Sequence, residues 1–327
     1  MKPSAPSPRR AQRRRAPWAR AGLLACLAWG CSSTAEAPRP ATGLSVREED
    51  LMLRLVEALR QTQAKAEDPD QLMNGLERLL PAWQSEQRKG RADVLEVVLT
   101  SRVIPHYAIV REMFLNGPHE RRLVAAWALG FTRVPLNDLG IASQHEQAQA
   151  LLIREIPRLP DDVLANALLA LWILAEPSTP IDPLTDLIVN HHDGLVRANA
   201  TLALGRVLTP ELSLQAVEAV IVALDDVDAT VRVHAASIAR NFPDRAYLAR
   251  LESLIEEEDT PLAQARMASA LGALKSRSSS RVLIPLLRGD NELVAVYARA
   301  ALAAIFGVDR GPDPKPWNDL ILETKGP

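Results

Sequence analysis

DGLVRANATLALGRV (193–207) is the stretch whose reading decides the fold. Counted from Arg197, small residues stand at positions three and six (Ala200, Ala203), an aliphatic at seven (Leu204) and Gly at eight (Gly205). The phrase starts again at Arg122, Leu164, Arg232, Gln264 and Ala295, with Ala125, Ala128, Leu129 and Gly130 in the first copy and Ala298, Ala301 and Leu302 in the last. The six starts are 42, 33, 35, 32 and 31 residues apart, a period that marks helical arrays. Positions three, six, seven and ten share one helix face at 3.6 residues per turn. Ala on that face lets a neighbouring helix approach closely, and Leu, Ile or Val fill the gaps. One such helix cannot bury its stripe alone, so the phrases must stack.

Between the phrases the pattern predicts amphipathic partner helices at about Glu146–Leu159, Pro183–Val189, Glu211–Leu224, Arg245–Glu256 and Arg281–Leu287. Thr209-Pro210-Glu211 and Thr260-Pro261 read as helix starts, with a cap and then a Pro at the first helical position. Asp193 and Asp228 each stand four residues before an Arg start and suit the turn inside a repeat. No segment alternates with period two, so no sheet is expected and the fold class is all-α.

DGLVRANATLALGRV and DATVRVHAASIAR (228–240) resemble HEAT-type repeats of the kind common in bacterial proteins, over about residues 105–306. The resemblance implies a right-handed α-solenoid of stacked antiparallel helix pairs. It also implies a ladder between successive repeats built from Asp193, Arg197, Asp228 and Arg232, and broken where Leu164, Gln264 and Ala295 depart from the pattern. The tail FGVDRGPDPKPWNDLI (306–321) is similar to a segment that follows the last repeat in such proteins, with Trp317 packing back on the final helices.

The front of the chain predicts an address. Residues 1–20 carry seven basic side chains and no acid, an apolar run Ala21–Gly30 follows, and Cys31 stands at the boundary. This is the order of a secretory signal, too short to span a bilayer. The boundary Cys resembles the lipidation site of bacterial lipoproteins. Leu27 lies one place too far from Cys31 for the family motif, whereas Leu23-Leu24-Ala25-Cys26 fits the motif but leaves a very short apolar run. Cys31 is preferred, which makes residues 1–30 a signal peptide and places the protein as a lipoprotein at the periplasmic or outer-membrane face of a bacterial envelope. Both cysteines lie in this front segment, so the folded body has no disulfide or thiol nucleophile. Removal of residues 1–30 leaves 31 basic against 40 acidic residues, net −9, which opposes binding to nucleic acid or anionic headgroups.

Residues 31–44, rich in Ser, Thr, Pro and Ala, read as a flexible tether. Residues 45–104 read as an N-terminal helical cap or as degenerate repeats, with helices predicted from Val46 to Gln63, from Pro69 to Trp83 and from Val94 onward. The repeats occupy 105–306, and 307–327 form the tail.

No catalytic constellation and no cofactor site is legible. Gly-x-Ser-x-Gly and phosphate-cradling Gly-rich loops are absent, and Glu256-Glu257-Glu258-Asp259 lacks the spacing of a Ca²⁺ loop. His191-His192 is the only adjacent His pair. It lacks four-residue helical spacing, so no metal site is expected. The expected surface for function is the exposed side of the phrase helices, where positions two, five and nine give Asn166, Asn199, Arg206, His234, Ser237, Asn241, Arg266, Ser269 and Tyr297, with Trp127 at the N-terminal end. Such a polar row suits a protein or peptide partner and otherwise is an ordinary solvated face. The sequence therefore predicts a non-enzymatic interaction scaffold, attached to the membrane through a lipid only. The alternative is an accessory subunit or chaperone for an envelope enzyme or cofactor, since lyases that attach bilins also use HEAT-like repeats.

Overall fold

The computed structural model of the chain describes residues 68–133 and 144–325, with Arg54 and Glu57. Cys26, Cys31, the leader, the tether and nearly all of the expected helix 46–63 lie outside them. Among the described residues there are fifteen α-helices and no strand. They are α1 (Pro69–Arg88), α2 (Asp93–Val103), α3 (Tyr107–Asn116), α4 (His119–Ala128), α5 (His145–Glu155), α6 (Asp161–Leu174), α7 (Asp182–Asn190), α8 (Gly194–Val207), α9 (Leu214–Leu224), α10 (Ala229–Asn241), α11 (Leu248–Glu257), α12 (Pro261–Leu274), α13 (Ser280–Leu286), α14 (Glu292–Phe306) and α15 (Pro314–Lys325). Thr209-Pro210-Glu211 does not open a helix: Ser213 is the N-cap of α9, its hydroxyl accepting from the Ala216 N–H. None of the described helices is long and apolar enough to cross a membrane.

The phrases occupy α4, α6, α8, α10, α12 and α14, and each of these packs on the next. The partner helices α3, α5, α7, α9, α11 and α13 each pack on the phrase helix that follows, and α7, α9, α11, α13 and α15 touch in succession. The small residues of the phrase make this possible. Ala125, Ala167, Ala200, Ala235 and Ala298 have no exposed surface. A Cβ on Gly272, at position eight, would meet the Cα of Ala301 at 2.8 Å, so a larger residue there would push α12 and α14 apart. Gly130 faces the Ala170 backbone in the same way. Position eight of one phrase thus meets position six of the next.

The turns keep a fixed register against the phrase starts. Four residues before each start stands an N-cap: Asp193, Asp228, Thr260 and Asn291. Six residues before stands an acceptor for that cap's own N–H, supplied by His191 Nδ1 (3.2 Å), Asp226 (2.8 Å) and Glu258 (2.9 Å). This acceptor, not the cap, is the rung between repeats. Arg197 forks onto Asp226 at 2.6 and 2.8 Å, and Arg232 onto Glu258 at 2.6 and 2.7 Å. The expected ladder therefore has its arginines but different acids. Asp193 and Asp228 instead cap α8 and α10, accepting the Leu195 and Val196 N–H groups and the Thr230 N–H, while the arginines reach the acid of the following turn. Burial works to raise the Glu258 carboxyl, but bonds from Arg232 and the Thr260 N–H outweigh it and hold the pKa below the usual value. Where Gln264 replaces Arg, its amide turns back to the Ile255 carbonyl of its own turn (2.9 Å), and Gly289 stands in the acceptor place.

At the N-terminal end, Trp83 of α1 packs against Trp127, Phe131 and Trp172 with ring centroids 5.9, 5.5 and 6.4 Å away. At the other end Trp317 of α15 is fully buried beside Phe306, and its indole N–H donates to the Gly311 carbonyl at 2.8 Å.

Candidate partner-binding face

The residues expected to form an outward row divide in two. Position two is buried or tied down in the first five phrases and half-buried at Tyr297 in the last. Asn166 donates its side-chain amide to the Leu123 carbonyl on α4 (3.0 Å), and Asn199 donates to the Ala165 carbonyl on α6 (2.8 Å). Both carbonyls belong to the first residue after a phrase start, so these amides form rungs between successive helices. His234 and Arg266 continue the position at 5% and 4% exposure. The Arg266 guanidinium lies 5.8 Å from the centre of the Tyr297 ring, the next member of the row. Trp127 has no exposed surface and belongs to the aromatic cluster. For Trp127, Asn199, His234 and Arg266 the expectation of exposure is corrected. At 100° per residue, position two lies only about 40° from the buried position six. A helix flanked on both sides within its own row closes over that angle.

What stays open is narrower. Arg206 and Asn241 at position nine are exposed, and Ser237 and Ser269 at position five and Tyr297 are half-buried. The Ser237 hydroxyl bonds the Val233 carbonyl of its own helix (2.8 Å) and keeps its acceptor lone pairs. Burial, then the charge of Arg133, lowers the Arg206 pKa, so Arg206 sits at the edge of a crowded, positively charged corner. Facing it electrostatically is Glu96 of α2, raised by burial despite a 3.3 Å bond from the Trp83 indole N–H. Glu96 is the residue that sequence reasoning missed. It is 110 residues from Arg206, and no local pattern announces the meeting.

The structure also brings Asp161 to the His191-His192 pair, with one ligand-type atom from each residue within 4.8 Å of the others. The imidazoles stack at 4.7 Å, and the two Nε2 atoms lie 3.7 and 3.0 Å from the Asp161 carboxylate. Two imidazoles and a carboxylate are donors that a transition metal accepts, and one nitrogen of His191 is already engaged by its own turn. His191 Nδ1 accepts from the Asp193 N–H at 3.2 Å, which leaves Nε2 on the side of the Asp161 carboxylate. His191 occupies the acceptor place of its turn, and the preceding phrase starts with Leu164 rather than Arg. The place of the rung is taken by the two imidazoles beside the Asp161 carboxylate, with the acid on the earlier repeat and the histidines on the later one. His119 Nε2 and Asp162 make a similar contact one repeat back, at 2.8 Å.

These features define an all-α chain of packed helix pairs. No family model matches it. No curated protein matches it. Among solved structures it is similar to human deoxyhypusine hydroxylase in complex with glycerol, at 15% identity over 80% of this chain and 99% of that one, with a TM-score of 0.35. That protein is an enzyme, and the expectation that the present chain lacks enzymatic activity is set aside on that finding. At that identity and TM-score the similarity assigns no activity, substrate or site to this chain.

Proposed function

We propose that the chain is a HEAT-like right-handed solenoid, held at a bacterial cell envelope by a lipid on Cys31, and that it binds a protein segment along the open edge of its phrase helices. The observation that supports the reading is the unbroken succession α4, α6, α8, α10, α12 and α14, whose outer edge carries Arg206, Ser237, Asn241, Ser269 and Tyr297. Such an edge is long, shallow and rich in hydrogen-bonding groups, which suits an extended segment. The acidic balance of the body argues against nucleic acid as partner.

Two measurements test it on the full chain expressed in a bacterial host. Intact mass should show a mature form starting at an acylated Cys31, and Cys31→Ser should move the protein from the detergent phase to the aqueous phase. A photo-cross-linking side chain placed at Ser237 or Ser269 should trap one and the same partner, and none when placed at Glu218, which is exposed on α9 in the other row. An intact leader removes the anchor. Equal trapping from Glu218 removes the binding edge.

A further inference from the structure

A cavity of about 770 Å³ opens between α13, α15 and the end of α14. That volume lies in the roughly 300–1,000 Å³ range of small-molecule sites. Its floor is apolar, from Ile284, Phe306 and Ile321, and its rim carries Arg277, Arg281 and Arg288. Three guanidinium groups around one cavity run against the net negative charge of the chain. The local acids offset two of them, Arg281 through Glu252 and more weakly Arg288 through Asp313, and leave Arg277. Glu252 is buried and takes Arg281 Nη2 on one oxygen (2.9 Å) and the Ser278 and Ser279 hydroxyls on the other (2.7 and 2.8 Å). Asp313 stands 3.7 Å from Arg288, beyond hydrogen-bond length. Arg277 has no carboxylate within 4.0 Å among the described residues, and its guanidinium lies 5.9 Å from the centre of the Phe306 ring. A planar fork with all its donors available, set over an apolar floor, matches a carboxylate attached to a hydrocarbon body.

We propose that this cavity binds an amphipathic carboxylate, with its chain on Ile284, Phe306 and Ile321 and its headgroup on Arg277 and Arg288. The inference does not depend on the partner-binding edge, because α13 and α15 belong to the other row. The test is calorimetric titration of the full chain in detergent-free buffer with decanoate below its aggregation concentration. Decanol and inorganic phosphate serve as the neutral and chainless probes. Arg277→Gln and Arg288→Gln, both at exposed side chains, serve as variants after their melting curves are shown to match the parent. The expected result is saturable 1:1 binding of decanoate, weakened at least tenfold by Arg277→Gln, with decanol and phosphate each at least tenfold weaker than decanoate. Equal binding of decanol would leave only a greasy surface. Equal binding of phosphate would leave only an anion site. Unchanged affinity in both variants, or no saturable uptake, would overturn the assignment.

Discussion

His234 should make this protein acid-sensitive in a pH window that can be worked out in advance. Burial first, and then the positive charge of Arg266, push its imidazole down to about 4, while Asp228 pulls weakly the other way. A histidine in the unfolded chain titrates near 6.5, so the difference is about 2.5 units, or about 3 kcal/mol at 1.36 kcal/mol per unit. Above pH 6.5 the ring is neutral in both states and contributes nothing. Between 6.5 and 4 the unfolded chain binds a proton that the native state refuses, so stability falls as pH falls. Below 4 both states are protonated and the loss levels off. At pH 5 the loss from this group alone amounts to about 2 kcal/mol. The comparison protein is His234→Asn, since Asn199 holds the same place on α8 and its amide reaches Ala165; an amide at 234 is directed at the Ala198 carbonyl in the same register. Urea unfolding followed by circular dichroism at pH 7.5, 6.5, 5.5 and 5.0 would be run on both proteins. The other five histidines are common to both and cancel. The parent should lose about 2 kcal/mol more than the variant between pH 7.5 and 5.0. Parallel pH profiles would refute the argument, because they would mean that His234 protonates in place.

Three further outcomes follow from the packing. Arg232→Ala strands Glu258, whose side chain is 2% exposed, and should cost about 3–5 kcal/mol in urea unfolding; a loss under about 1 kcal/mol would mean that the pair is not buried in solution. Gln264→Arg together with Gly289→Asp should restore the missing rung, and a double-mutant cycle should return a favourable coupling of about 0.5–1 kcal/mol, with zero coupling counting against the register. Gly272→Ala sets a helix-propensity gain of about 1 kcal/mol against overpacking of about 1–3 kcal/mol where the new Cβ meets Ala301, so a lower melting temperature is expected and a higher one would show that α12 and α14 have room to part.

The helical array was legible because its cause is local. Small residues at three and six are what a helix needs in order to approach a neighbour, and Gly205 or Gly272 at eight marks where the approach is tightest. The turns at Asp193 and Asp228 were legible for the same reason, since both side chains act within three residues of themselves, but as caps and not as the ladder members the resemblance implied. The rung acceptors were not. His191, Asp226 and Glu258 share no side-chain type; they share only the ability to accept the N–H two residues on, and the turns HHD, DVD and EDT look unrelated until that bond is seen. Position two was misplaced because a helical wheel grants each helix one buried face. A phrase helix in this fold has three neighbours, and α8 packs on α6, α7 and α10 at once. Glu96 and Arg206 influence each other's charge although they are 110 residues apart in sequence.

The same packing decides what any partner on the phrase edge can read. With position two closed except at Tyr297 on α14, each helix offers little beyond positions five and nine: Ser237 and Asn241 on α10, Ser269 on α12, Arg206 on α8. Helices packed through Ala and Gly lie about 8–10 Å apart, close to the length of three residues of extended chain at about 3.3 Å each. A segment crossing the row under the proposed reading would meet a new helix every third residue. Its side chains alternate between faces every residue, so the same face returns to the row only at every second helix, six residues on. Ser237 on α10 and Tyr297 on α14 stand two phrase helices apart and would face one side of the segment, while Arg206 on α8 and Ser269 on α12 would face the other. Recognition through such an edge is sparse and set by spacing, with Arg206 as the cationic member among the residues named.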